Sequence, residues 1–242
     1  MKDMKQRAGE LLRQGSTRLS MTVLGIFLIF SVFLPLLIGV NLTGVLFGEN
    51  GEDGLIFAIW GILSVLVTAP VLILLYRRAY LLYLRLRDGF AAPRRLPNCG
   101  AIRCFFAGLV MLFRPVMVFC VFLGAYKVAE QTDFWLYLPI MLCAIVLAML
   151  VMWLTAYLFL FPYYICRGES VGQALKYSVK HMLSRYRGYF GYMLAFLGWV
   201  LLSLLTAGVL LVLYTIPIML LTYFIFADKI VGDQQREDDR HE

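Results

Sequence analysis

The chain is poor in the residues from which catalytic and metal sites are commonly built. It has only two histidines, His181 and His241, among 242 residues, so a histidine-rich metal site or a Ser-His-Asp triad has little to build on. The five cysteines follow no zinc or redox spacing, which favours small apolar packing within or beside helices. The motifs H-E-x-x-H, G-x-S-x-G and G-x-x-x-x-G-K are also missing. We therefore predict no enzyme activity, no cofactor and no metal site.

Charge is scarce as well. Only 15% of the residues are charged and 62% are hydrophobic, whereas soluble domains average about 25% charged and roughly 45–50% apolar. A soluble core of this size cannot hide that excess, so a bilayer is the natural solvent for this chain.

Long apolar runs predict an all-α, polytopic bundle of about six transmembrane helices. The stretch from 189 to 231 is too long for one span, which needs about 20 residues, so we place a tight hairpin at Thr206-Ala207-Gly208. A basic segment, 1–18, precedes the spans, and a tail, 232–242, is expected to be disordered. The predicted spans are 19–47, 55–75, 104–126, 134–165, 189–205 and 209–227.

Positive charge is concentrated on one side of these spans. All but two of the 22 Lys and Arg residues fall in the N-terminal segment, the loop after span two, the segment after span four and the C-terminal tail. The opposite loops are mostly acidic. Since cytoplasmic loops are enriched in Lys and Arg, we predict a cell-membrane protein with both termini in the cytoplasm. The same pattern explains the net charge of +7 without nucleic-acid binding.

Two basic helices are expected on the cytoplasmic face. Span two continues as a helix through 76–87, where Arg77, Arg78 and Arg85 are candidate contacts for anionic lipid headgroups. Apolar residues at helical spacing also predict an amphipathic helix over 171–184, lying along the membrane interface. Topology alone explains the arginines equally well.

A capping box precedes the second of these helices. Ser170 and Gln173 have the spacing at which two side chains satisfy free N–H groups at a helix start. Glu169 is expected to pair with Arg167 or with the arginines at 185 and 187, or to favour the helix start through the helix dipole.

Arg114 is the least expected residue, because it lies about ten residues into span three, directly before Pro115. An arginine at the bilayer centre costs about 2.5–3.5 kcal/mol on insertion scales. One interpretation is an anion or lipid contact in an interior cavity. The alternatives are that span three begins later and the side chain reaches the interface, or that it pairs with carbonyls freed by a proline. No Asp or Glu lies in a predicted span core to pair with it.

Span five carries a stripe of small residues, which predicts close approach of a neighbouring helix. The stripe consists of Gly188, Gly191, Ala195 and Gly198.

The region 160–230 also carries a family resemblance, through Phe161-Pro162-Tyr163-Tyr164, Arg167-Gly168-Glu169-Ser170, Ala174-Leu175, Ser178, Phe196-Leu197-Gly198-Trp199, Leu205-Thr206-Ala207-Gly208 and Pro217. This pattern resembles the bacterial integral membrane proteins grouped as domain-of-unknown-function 975. The sequence departs from the family at Val209, where a second glycine is usual, and after Pro217, where a tyrosine is usual. A more distant likeness is to the membrane domain attached to some glycerophosphodiester phosphodiesterases, whose catalytic domain is separate. The resemblance implies topology and a bacterial cell membrane.

These observations favour a non-enzymatic membrane accessory or scaffold protein that engages lipid or a partner. Its expected partners are membrane lipids with anionic headgroups at the cytoplasmic face, with a protein partner or a second copy of the chain as an alternative, and no nucleic acid. The alternative function is a small transporter or export component for an anionic or amphipathic substrate, indicated by Arg114 and the proline-kinked spans.

Overall fold

The regular structure of the chain is helical. A computed structural model describes residues 2–14, 17–30, 51–93, 95–130, 132, 134–205 and 211–238, and these residues contain helices and no strand. The predicted all-α class is confirmed. The α-helices are α1 (Lys2–Leu12), α2 (Thr17–Phe30), α3 (Gly51–Asp88), α4 (Ala101–Glu130), α5 (Phe134–Leu154), α6 (Phe161–Arg167), α7 (Val171–Leu205) and α8 (Ile216–Asp238), with 3-10 turns at Gly89–Ala91 and Ala156–Leu158 and a π turn at Leu211–Thr215.

Within the described residues, four segments are long and apolar enough to cross a membrane: Gly61–Asp88, Ala101–Glu130, Trp135–Leu154 and Leu213–Asp233. The first three have surfaces that are largely uncovered by protein, and Trp135 in α5 is 85% exposed, whereas Leu213–Asp233 is mostly buried. A helix that is apolar all round is typical of one surrounded by lipid or core, which is the pattern of a membrane protein. Predicted span one is described only as α2, and the hairpin predicted at 206–208 lies outside the described residues.

The chain divides into two compact units. The first unit consists of Met1–Ile29, Leu74–Cys99 and Tyr157–Glu242, and the second consists of Phe30–Ile73 and Gly100–Ala156.

Small residues set the packing of the second unit. Gly108 of α4 lies so close to the backbone of Ala69 in α3 that no side chain fits between them. On α5, which packs against α4, the buried residues Ala144 and Ala148 are one helical turn apart. In membranes helices associate by such close contacts, because lipid tails are as apolar as the side chains and give no hydrophobic driving force.

Predicted span four, 134–165, is not one helix. The helix α5 ends at Leu154, and α6 begins at Phe161 with Pro162 in its first turn, where a proline is tolerated because its missing N–H would have no partner within the helix. The backbone groups of the break are satisfied within the protein, as buried backbone polar groups require. The Tyr223 hydroxyl donates to the Phe159 carbonyl (3.0 Å) and accepts from the Tyr163 N–H (3.1 Å).

The predicted interfacial helix 171–184 and span five are one element. The helix α7 runs from Val171 to Leu205 and changes direction at Arg185, whose φ and ψ of −118° and 21° are not helical. The last helix also differs from the prediction. It continues through Asp238, although span six was predicted to end at 227 and disorder was expected from 232.

The first unit is held together by aromatic rings and by α1. The centre of the Phe159 ring lies 4.9–5.1 Å from the ring centres of Tyr189, Tyr192 and Tyr223. The apolar stripe of α1 faces this unit, because Ala8 and Leu12 are buried and α1 packs on α8. The N-terminal segment is therefore part of the folded unit.

Candidate functional site

The Asp228 carboxylate joins three separate segments of the first unit. It accepts hydrogen bonds from the Tyr83 hydroxyl (2.6 Å), the Tyr163 hydroxyl and the Arg87 guanidinium. Its side chain is only 19% exposed. All the donors point at one carboxylate, so this Asp228 cluster is suited to fix α3, α6 and α8 together.

Sequence reasoning missed this cluster because span six was predicted to stop at 227, which left Asp228 in a solvated tail. It also assumed that no carboxylate lay within a span. The structure places Asp228 inside the apolar helical segment Leu213–Asp233. The signal that could have found it is Tyr76, Tyr80 and Tyr83, which follow one face of α3 at helical spacing and require polar partners when buried.

Lys5 ties α1 to α7. Its ammonium donates to the Ala195 carbonyl and stands 4.2 Å from the centre of the Phe196 ring. Burial lowers the pKa of Lys5, since removal from water disfavours the charged form. Ala195 was predicted to serve helix packing, and the structure shows its carbonyl as the acceptor of this bond.

A cavity of about 610 Å³ lies beside α1 and the Asp228 cluster. Its walls include the cations Arg7, Arg87 and Lys229 and the anions Asp3 and Asp228. Arg87 forms ion pairs with Asp88 and Asp228. Within the part of the chain that the structure describes, Arg7 and Lys229 form no ion pair. We call this space the α1 cavity; it leaves two cations for an external anion.

The three arginines predicted for lipid contact have different surroundings. Arg77 donates to the Pro97 carbonyl of the following loop, which fixes that loop to α3. Arg78 and Arg85 are exposed. The structure therefore gives Arg77 an internal partner and leaves the other two at the surface.

Arg114 is half-buried in α4 and its Nε lies 3.2 Å from the Met152 sulfur of α5. A thioether is a weak acceptor. The side chain thus lies against protein within the second unit, one residue before the proline that interrupts the hydrogen bonding of α4.

The start of α7 has the reciprocal bonds of a capping box. The Gln173 N–H donates to the Ser170 hydroxyl (3.3 Å) and the Ser170 N–H donates to the Gln173 side chain (3.4 Å). Before it, Gly168 ends α6 with φ of 103°, a left-handed conformation that glycine adopts without strain. Arg167 stands 5.7 Å from the Tyr163 ring centre. In the described residues Glu169 forms no ion pair; Arg185 pairs with Asp233 instead, at 3.8 Å.

Among the glycines of the small-residue stripe of α7, Gly188 has a close neighbour in the described residues. A side chain at Gly188 would meet the Phe226 ring of α8 at 3.1 Å. Around Gly191 and Gly198 the described residues leave space.

No protein-family model, curated protein or solved structure matches this chain. The described residues also contain no cluster of His, Cys, Asp and Glu that could hold a metal ion.

Proposed function

We propose that this chain is a non-enzymatic accessory or scaffold protein of a bacterial cell membrane, and that its basic face binds anionic lipid headgroups. The observation that carries the proposal is the position of three cations, Arg7, Arg187 and Lys229. In the described part of the chain none of them forms an ion pair. All three line cavities that also contain Met4 of α1. Basic residues near a membrane surface attract anionic lipids with about 1 kcal/mol each.

The rigidity of the first unit supports this proposal. Asp228, Arg87 and two tyrosines join three helices, and Lys5 joins α1 to α7. Cations held on a rigid support bind an anion with less loss of conformational entropy than cations on a mobile tail.

Lipid-dependent stability tests the proposal. The detergent-purified chain is heated with added phosphatidylglycerol or with phosphatidylcholine at equal concentration. A ligand that binds only the folded state raises stability by about 2.7 kcal/mol at 100 times its dissociation constant. We expect phosphatidylglycerol to raise Tm more than phosphatidylcholine does. Equal shifts with both lipids would contradict the proposal.

The proposal includes six spans with both ends in the cytoplasm, a topology supported by the one-sided distribution of Lys and Arg. Reporter fusions test it. Alkaline phosphatase, which is active only outside the cytoplasm, should be active when inserted between Glu130 and Phe134 and inactive when fused after Glu242. An active C-terminal fusion would refute a cytoplasmic C-terminus. The proposed membership of the domain-of-unknown-function 975 family rests on the motifs between 160 and 230.

Arg114 favours a second candidate function, transport of an anionic or amphipathic substrate, because its charge lies midway along an apolar helix. An Arg114→Leu variant separates the two functions. If folded yield rises and binding of anionic ligands is unchanged, Arg114 is not an anion site. Loss of anion binding at unchanged yield would favour transport.

A further inference from the structure

The change of direction in α7 leaves a cavity between α7 and α8. Arg185 interrupts the helix, and a space of about 710 Å³ lies beside it. Sites for small organic ligands commonly measure about 300–1,000 Å³. We call this space the kink cavity.

The kink cavity has an apolar floor. Phe226 and Ile230 of α8, which are 6% and 4% exposed, form its wall together with Met4 and Leu183. Gly188 also lines it, and the lack of a side chain there lets the Phe226 ring pack directly against the backbone of α7. This floor suits hydrocarbon better than an inorganic ion.

The rim of the kink cavity is cationic. It carries Arg185, Arg187 and Lys229, with Asp233 as its one carboxylate. Asp233 is engaged by Arg185. Among the described residues Arg187 and Lys229 form no ion pair, so an anion at the rim would meet two uncompensated positive charges.

From this arrangement we infer that the kink cavity is a binding site for one phospholipid with an anionic headgroup. The phosphate is held between Arg187 and Lys229, and the start of an acyl chain lies on Phe226 and Ile230. Guanidinium and ammonium groups are suitable phosphate donors. The inference rests on the proposed function, since it assigns the anionic-lipid preference to one specific place.

Charge-neutralising variants test the assignment. The double variant Arg187→Gln/Lys229→Gln removes both cations from the rim. The matched control, Lys176→Gln/Lys180→Gln, removes the same charge from exposed positions of the same helix that do not line the cavity. Both variants change surface residues, and their Tm without lipid reports whether they fold.

The probe is dioctanoyl phosphatidylglycerol, titrated into the detergent-purified chain with lipid binding measured by native mass spectrometry. Two charges contributing on the order of 1 kcal/mol each correspond to roughly 30-fold weaker binding for the cavity variant. The control variant should lose much less. Glycerol 3-phosphate, which has the phosphate without the acyl chains, should bind weakly. Dioctanoyl phosphatidylcholine should bind more weakly than dioctanoyl phosphatidylglycerol.

The outcomes separate the site from the function. If both double variants lose affinity equally, the preference comes from general surface charge and the kink cavity is not the site. If glycerol 3-phosphate binds as tightly as the lipid, the site takes free phosphate and the inference is wrong about its ligand. If the unmodified chain shows no preference for phosphatidylglycerol over phosphatidylcholine, the proposed function itself fails.

Discussion

The contact between α3 and α4 predicts that Gly108 cannot be replaced even by alanine. A Cβ at this position would lie 2.6 Å from the Ala69 Cα and closer still to the Ala69 carbonyl, whereas real Cβ atoms essentially never come under 3.0 Å. The obstacle is backbone, so no side-chain rotation relieves it and the two helices must move apart. Overpacking of this kind costs about 1–3 kcal/mol, and we place this site at the upper end.

Alanine also favours the helix by about 1 kcal/mol over glycine, so the net loss for Gly108→Ala should be about 2 kcal/mol. For a chain of this size 1 kcal/mol shifts Tm by about 2–4 °C, which gives a decrease of roughly 4–8 °C. Gly124 of the same helix is the matched control, because an added Cβ there meets none of the described residues within 4 Å. Thermal unfolding in detergent, followed by intrinsic fluorescence, measures both variants. The reasoning is refuted if Gly108→Ala is as stable as Gly124→Ala.

Three further predictions concern polar groups of the first unit, each measured by the same thermal unfolding. Asp228→Asn should cost about 2 kcal/mol, because it removes the charge from three hydrogen bonds. Asp233→Asn, at a half-exposed ion pair, should cost under about 1 kcal/mol. Equal losses would show that the Asp228 cluster contributes no more to stability than a surface ion pair. Tyr223→Phe should cost about 2 kcal/mol, because it leaves a buried carbonyl and a buried N–H without partners. The loss should exceed that of Tyr192→Phe, which removes one bond to the Met219 carbonyl. A larger loss for Tyr192→Phe would exclude the bridging role of Tyr223. Ser170→Ala should lower the free energy of unfolding by about 1 kcal/mol. Adding Gln173→Ala should lower it little further, since both residues belong to one capping box. Additive losses would show that the two residues act independently.

Arg114 shows how much of a predicted transmembrane helix can be understood from sequence, without knowing which helices pack against it. Sequence alone identified a charge midway along an apolar helix and left its surroundings open. The structure gives it a neighbour from α5, Met152, which lies 38 residues away along the chain. Pairings over such distances depend on how helices pack, and a hydropathy pattern contains no information on that.

Local signals were the reliable ones. The all-helical class follows from apolar runs whose backbone groups must be satisfied within each segment in lipid. The bonds between Ser170 and Gln173 depend only on residues three apart. The break in predicted span four has no such local signal, because the apolar run continues through it and the next proline, Pro162, lies inside the first turn of α6.

What the sequence determined by itself is therefore the solvent of this protein, its helical class and the capping box at the start of α7, because each of these follows from neighbouring residues. Tertiary structure alone decided which glycine of α4 meets a backbone, that Asp228 meets Arg87, and that a break at Arg185 opens a cavity beside α8. The physical reason is that these features depend on the distance and rotation between helices. Gly108 and Gly124 lie in similar apolar surroundings along the chain, and only the packing of α3 against α4 makes one of them indispensable.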